Sequence, residues 1–168
     1  EVIASYEFES HIAGELNASA DGYLSASSKV NTDLVEDSVV TVNFKLEATQ
    51  KGFLGPYMVN YQFDRYYLTD YSKNKLKEVI KVMNDNPSLK IEIRSHTDSR
   101  GPAVYNQWLS DMRAKTAMNY IKSYVVNPER ISAKGYGETE LLKPCGDGVT
   151  CSDADHLANR RTEFIILK

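Results

Sequence analysis

A chain of 168 residues, 42% apolar and 26% charged, is long enough to bury a real core and has the balance of an ordinary globular protein. Its formal net charge of −3 offers no footprint for a polyanion, so nucleic acid is not expected as a partner. No apolar run approaches the ~20 residues that a membrane-spanning helix needs. The chain opens mid-pattern at Glu1-Val2-Ile3, as expected for a piece of a longer protein whose export signal or anchor lies upstream.

Residues 1–50 read as a strand-rich segment. Tyr6-Glu7-Phe8-Glu9 alternates, and Gly22-Tyr23-Leu24 follows a turn signal at Asp21-Gly22. Ser38 to Leu46 puts Val40, Val42, Phe44 and Leu46 on one face, which predicts a strand. A weak helical pattern lies near Leu34. Asn17-Ala18-Ser19 fits the glycosylation sequon, a pattern frequent by chance. The segment holds no catalytic set and is too short for a complete sandwich. Polar residues from Glu47 to Gly52 and the Gly55-Pro56 turn signal mark a linker, with the boundary at 51–56.

Residues 57–168 read as the main domain. Met58 to Asp64 alternates and predicts a first strand. Asp70-Tyr71-Ser72 can cap a helix carrying Leu76, Val79, Ile80 and Met83 on one side, and Asp85-Asn86-Pro87 stops it. A strand over 90–95 leads to a long helix from about Val104 to Tyr124, expected to bury Trp108, Met112, Ala117 and Ile121 or near neighbours. Pro128 breaks the path. Ile131 to Lys134 is a short strand closed by Gly135-Tyr136-Gly137, a tight turn rather than a phosphate loop because no GK[ST] follows. A short helix around Asp153 to Ala158 and a last strand, Thr162 to Leu167, complete the chain. The order β-α-β-α-β, then a small helix and a strand, predicts an α/β (α+β) sandwich with helices on one face of a mixed sheet.

Cys145 and Cys151 flank a turn-rich loop of Gly and Asp. The spacing is not that of a zinc site, since there is no CxxC and no second pair. A disulfide closing this short ring would stabilise the fold by about 2 kcal/mol and would indicate an oxidising compartment. His11, His96 and His156 are scattered, so no metal or other cofactor is expected.

The stretch Ser95-His96-Thr97-Asp98-Ser99-Arg100-Gly101 sits between a strand and a helix, where free backbone N–H groups can face an anion. Asn106, Leu109, Ser110 and Arg113 are spaced i, i+3, i+4, i+7 and share one face at the start of that helix. Asp98 and Arg113 can then point into one hollow. Such a pair suits a small zwitterion: the carboxylate takes an ammonium, and the guanidinium grips a carboxylate in a fork.

HTDSRG, YNQWLSDMRA, RISAKGYGE and NRRTEF, in that order, resemble the OmpA-like peptidoglycan-binding domain over residues 57–168. The resemblance implies the same sandwich, no enzymatic activity, and binding of the diaminopimelate side chain of the peptide stem. It implies a periplasmic domain that tethers an outer-membrane protein, lipoprotein or secretion complex to the wall. The alternative is an OmpA-like domain used for protein contact alone. Residues 1–50 resemble the end of a carboxypeptidase-regulatory-like β module. The cysteine loop and CSDADHLANRRTEF resemble a branch of the family of which some members anchor type IX secretion machinery.

Each candidate has a plainer reading. Asp98, on the family's acidic loop position, could be an ordinary turn residue, and Arg113, on its helix arginine, a solvated charge. Thr97 and its neighbours could offer N–H groups to a ligand carboxylate or form only a local turn. Asn106 could brace the loop or touch the ligand. Leu109 could line the pocket or pack in the core. Asp64 matches an acidic position near the family's pocket. Of Arg160 and Arg161, Arg160 is expected at the rim while the other braces the fold. His96 neighbours Asp98 and several serines, but no GxSxG elbow is present, so it is read as tying the strand end to its neighbours.

Overall fold

The computed structural model describes residues 2–8, 13–20, 23–31, 40–46, 54 and 58–167. The chain divides into two compact units, Glu1–Gln50 and Lys51–Lys168.

In the first unit, β1 (Val2–Phe8) pairs antiparallel with β4 (Val40–Leu46), Val2 lying opposite Leu46. A second ribbon joins β2 (Ala13–Ala18) to β3 (Ala26–Asn31), also antiparallel. Neither β2 nor β3 shows in the sequence, because AGELNA and ASSKVN carry too few apolar residues for a period of two to register. Tyr23 and Leu24, expected in a strand, lie between these two strands. The Tyr23 N–H donates to Ala20 O at 3.0 Å, so the segment turns instead of pairing at length. Ala18, Phe44 and Leu46 form a small buried core, with Leu16, Tyr23 and Val42 packed against it. Asn17 of the sequon is exposed. Asp21-Gly22, the region of Leu34, and the linker residues except Leu54 lie outside the described residues.

The second unit runs β5 (Val59–Asn60), α1 (Asp70–Asp85), β6 (Lys90–Ser95), α2 (Ala103–Lys122), one turn of 3-10 helix (Pro128–Arg130), β7 (Ile131–Gly135), α3 (Asp153–Asn159) and β8 (Arg161–Leu167). The sheet order is β5-β8-β6-β7, with β6 and β7 parallel and the other pairs antiparallel. This is the expected mixed sheet with its helices. α2 packs on β6 and β7, and α1 packs on α2 and β5. Leu54 is buried, and its N–H donates to Phe164 O at 2.7 Å, so this residue of the expected linker belongs to the second unit's packing.

The first strand is shorter than its alternation suggests. Only Val59 and Asn60 pair with β8, because Asp64 adopts φ +57° and the Arg65 N–H folds back to Gln62 O. α1 is capped by Thr69, one residue earlier than expected, whose Oγ1 accepts from the Ser72 N–H at 3.1 Å. It buries Leu76, Val79, Ile80 and Met83 as its spacing predicts. Its last turn carries no basic residue. Arg130 supplies the missing donors from outside, binding the carbonyls of Met83, Asn86 and Leu89.

α2 departs from expectation in one respect. Ala117 and Ile121 are buried, but Trp108 is 48% exposed and Met112 only half-buried. The buried stripe is Asn106, Leu109, Ser110, Arg113, Ala114, Ala117 and Ile121. The first half of this stripe is mostly polar, because Asn106 and Arg113 line a hollow with Leu109 while Ser110 accepts from the Gly137 N–H. Cys145 and Cys151 are joined in a disulfide. Asn159 clamps the entry to that loop, accepting from the Lys143 N–H at 2.8 Å and donating to Lys143 O at 3.0 Å.

Candidate functional site

Strand β6 alternates Ile91 and Ile93 into the core and ends at Ser95, from which the chain leaves as His96-Thr97-Asp98. The neighbouring segments extend the sheet around this exit. The His96 N–H donates to Arg161 O and the Thr97 N–H to Gly137 O, both at 2.8 Å. The Arg100 N–H turns back to Asp98 Oδ1 at 3.3 Å. Sheet pairing thus uses the Thr97 N–H, one of the N–H groups that Thr97 and its neighbours were expected to offer a ligand. The Thr97 side-chain Oγ1 is buried and has no hydrogen-bond partner among the described residues.

A hollow of about 240 Å³ opens beside this exit. All seven expected residues line it: Asp64, Thr97, Asp98, Asn106, Leu109, Arg113 and Arg160. Phe63, Arg100 and Tyr105 join them. Those three gave little signal. Phe63 and Tyr105 sit in patterns that read as ordinary strand and helix packing, and Arg100 reads as a loop charge.

Asp98 is 2% exposed. Its Oδ2 accepts from Arg160 Nη1 at 2.7 Å and from Arg100 Nη2 at 2.7 Å and Nε at 3.1 Å. Burial pushes the carboxyl up, but the bonds and charges of Arg100 and Arg160 together outweigh it and hold Asp98 below the usual carboxylate range. The two arginines differ. Arg160 is buried and also donates to Tyr61 O at 3.2 Å, whereas Arg100 is exposed, with its guanidinium 4.7 Å above the Phe63 ring. Arg161, by contrast, pairs with Glu163 and donates to Glu140 O at 3.1 Å, away from the hollow. Arg160 thus lines the hollow and Arg161 does not.

Arg113 is fully buried. Nε donates to Arg65 O at 2.8 Å, Nη1 to His96 O at 3.2 Å and Nη2 to Gln62 O at 3.3 Å, and the guanidinium lies 4.9 Å from the Tyr61 ring centre. Desolvation lowers its pKa to about 10, against the pull of Tyr61, Asp98 and Asp64, so it stays charged at neutral pH. Asn106 donates to Glu138 and Gly101 O, bracing the loop while it lines the hollow. Leu109 is buried at the floor. Asp64 accepts the Tyr105 hydroxyl at the edge.

His96 does not line the hollow. Its ring stacks on Tyr136 with centroids 5.5 Å apart, and neither ring nitrogen has a hydrogen-bond partner among the described residues. The strand end is tied by the backbone of His96 instead of by its ring. Burial first, then the charges of Arg161 and Arg94, depress its pKa to about 3. The unfolded chain, titrating near 6.5, binds this proton while the fold does not. Stability is therefore expected to be complete above pH 6.5 and to fall as pH drops towards about 3, by a few kcal/mol. Glu163 Oε2, 3.7 Å from Nε2, tempers the loss once the ring is charged. Urea melts of the chain and of His96→Phe between pH 7 and 4 check this: the variant's stability should change less steeply, and equal slopes would refute the assignment.

Comparisons with known proteins bear on the family and the fold. The model of the OmpA family matches residues 60–162. Outer membrane porin F of Pseudomonas fluorescens is 36% identical over 105 residues, covering 62% of this chain and 31% of the porin. The peptidoglycan-associated lipoprotein of Buchnera aphidicola subsp. Baizongia pistaciae is 33% identical over 95 residues, covering 56% of this chain and 51% of the lipoprotein. The chain thus spans about a third of the one and half of the other. The crystal structure of the peptidoglycan-associated lipoprotein from Burkholderia pseudomallei shares the fold, with a TM-score of 0.58 at 22% identity over 66% of this chain and 89% of that one. The matched residues run from β5 to the start of β8 and carry the whole lining from Phe63 to Arg160, and the chain belongs to the OmpA family.

Proposed function

We propose that the hollow binds the diaminopimelate side chain of a peptidoglycan peptide stem, and that the domain thereby tethers the outer-membrane protein, lipoprotein or secretion complex that carries it to the wall in the periplasm. The names of the relatives, an outer membrane porin and a peptidoglycan-associated lipoprotein, point to the same envelope. The observation that carries the reading is Arg113. A buried guanidinium whose hydrogen bonds all go to carbonyls, with no carboxylate in salt-bridge range among the described residues, is matched by a ligand carboxylate. Asp98 supplies the opposite pole. Arg160 stays with it, and the exposed Arg100 is the cation that an incoming ammonium displaces or joins. Leu109 meets the aliphatic stem of the ligand, and Thr97 Oγ1 gains the partner it lacks.

Each charge-assisted bond contributes roughly 1.5–3 kcal/mol. Two such anchors on a small ligand give micromolar to millimolar affinity, on the scale where 1 mM corresponds to about −4 kcal/mol. A wall presenting the ligand at many sites multiplies such weak contacts. Co-sedimentation with purified sacculi tests the reading. The intact chain should pellet, and Asp98→Asn and Arg113→Lys, checked for folding by circular dichroism, should bind at least about tenfold more weakly. If both folded variants pellet like the intact chain, the clamp is wrong.

A further inference from the structure

The hollow is not the end of the surface that a wall fragment would meet. Beside it the fold gathers aromatic rings that are distant in sequence. Tyr66 and Tyr67 come from the segment between β5 and α1, and Tyr105 and Trp108 from the first turns of α2. Their centroids form an unbroken chain: Tyr67 to Tyr66 at 4.5 Å, Tyr66 to Trp108 at 6.1 Å, Trp108 to Tyr105 at 5.5 Å. Tyr67, Trp108 and Tyr105 are 62%, 48% and 40% exposed, although α2 buries its own Leu109, Ala114, Ala117 and Ile121. A contiguous exposed aromatic patch of this kind marks a contact surface. Its last ring is also part of the hollow, since the Tyr105 hydroxyl donates to Asp64 at the edge.

The chemistry of the patch narrows its occupant. Four rings carry three phenolic hydroxyls and an indole N–H among them, so the surface pairs negative ring faces with polar rims and bears no charge of its own. The C–H faces of a pyranose complement such rings, and sugar hydroxyls complement their rims. Whatever stem enters the hollow is covalently joined to a glycan, and Tyr105 leads from the hollow to the patch. We propose that the aromatic chain Tyr67-Tyr66-Trp108-Tyr105 is a second subsite that binds the amino-sugar portion of the same wall fragment; this rests on the reading of the hollow given above.

Trp108 is the only tryptophan in the chain, so its emission reports on the patch directly. The intact chain is titrated with a diaminopimelate-containing stem peptide and with the same peptide on its N-acetylglucosaminyl–N-acetylmuramyl disaccharide. The disaccharide ligand should bind about five- to tenfold more tightly and shift the Trp108 emission, which the bare peptide should leave nearly unchanged. By calorimetry, Trp108→Ala and the more exposed Tyr67→Ala should erase the advantage while leaving affinity for the bare peptide intact. Equal affinities of the two ligands overturn the subsite and leave the hollow standing. Binding of the disaccharide ligand alone supports the subsite and overturns the hollow. Failure of both ligands overturns both. If the variants leave both affinities unchanged but abolish self-association in sedimentation velocity, the patch is a protein contact and the proposal fails.

Discussion

Replacing Gly135 with alanine is expected to destabilise the second unit by about 3 kcal/mol, the upper end of what an extra methyl forces on a packed interior. β7 passes so close to α2 that a Cβ at this position would lie 2.3 Å from the Asp111 backbone nitrogen and 2.4 Å from Ser110 Oγ. The nearest atom is helix backbone, which cannot swing aside. The contact is also tied in both directions. The Gly135 N–H donates to Asp111 Oδ1 at 2.8 Å, Gly135 O accepts from Gln107 Nε2 at 2.9 Å, and the Gly137 N–H donates to Ser110 Oγ at 2.8 Å. Relieving the overlap requires moving α2 off the sheet, and α2 carries Asn106, Leu109 and Arg113 into the hollow. The expected result is a fall in Tm of roughly 10 °C and weaker binding in the same variant. A thermal melt within about 2 °C of the parent would show that the approach is looser than drawn.

Arg113→Ala is expected to act on stability and binding together. Truncation leaves the carbonyls of Gln62, Arg65 and His96 without their donor. The cost of stranding buried acceptors, partly relieved by water entering from the hollow, is about 3 kcal/mol. The three carbonyls lie on the two segments that carry Asp64 and Asp98, so Arg113 staples the opposite walls of the site. Arg113→Lys separates the two effects. A lysine keeps the charge but offers a single point donor instead of a planar fork, so it should recover more than half of the lost stability while still failing to hold sacculi. Urea denaturation with an unchanged m-value, read beside the pelleting assay, checks this. Equal stability for all three proteins would mean that the carbonyl network contributes nothing.

The mixed sheet, the helices and the hollow's principal residues were legible because their signals are local. Leu76, Val79, Ile80 and Met83 repeat at helical spacing, β6 alternates, and Asn106, Leu109, Ser110 and Arg113 share a face by arithmetic alone. The four motif blocks and the helix spacing point Asp98 and Arg113 into one hollow, and both line the hollow that the fold forms. β2 and β3 were not legible, since their pairing is decided by a partner strand and their apolar content is low. Nor was the exposure of Trp108, because a sequence shows that a residue is apolar but not whether another element covers it.

What the sequence by itself determined is the order of elements and the chemistry available: an acid on a strand-to-helix loop, an arginine on the helix after it, two cysteines able to close a ring. What only the tertiary structure decided is how those groups are spent. It put the Thr97 N–H into the sheet, left its hydroxyl unpaired among the described residues, set Arg100 and Arg160 on Asp98, and gave the Arg113 guanidinium the carbonyls of Arg65, His96 and Gln62 as hydrogen-bond acceptors. It also drew Tyr66 and Tyr67 to Tyr105 and Trp108 across nearly forty positions of chain. The physical reason is that hydrogen-bond partners and desolvation are set by neighbours in space, and here those neighbours come from strands and loops that chain order keeps apart.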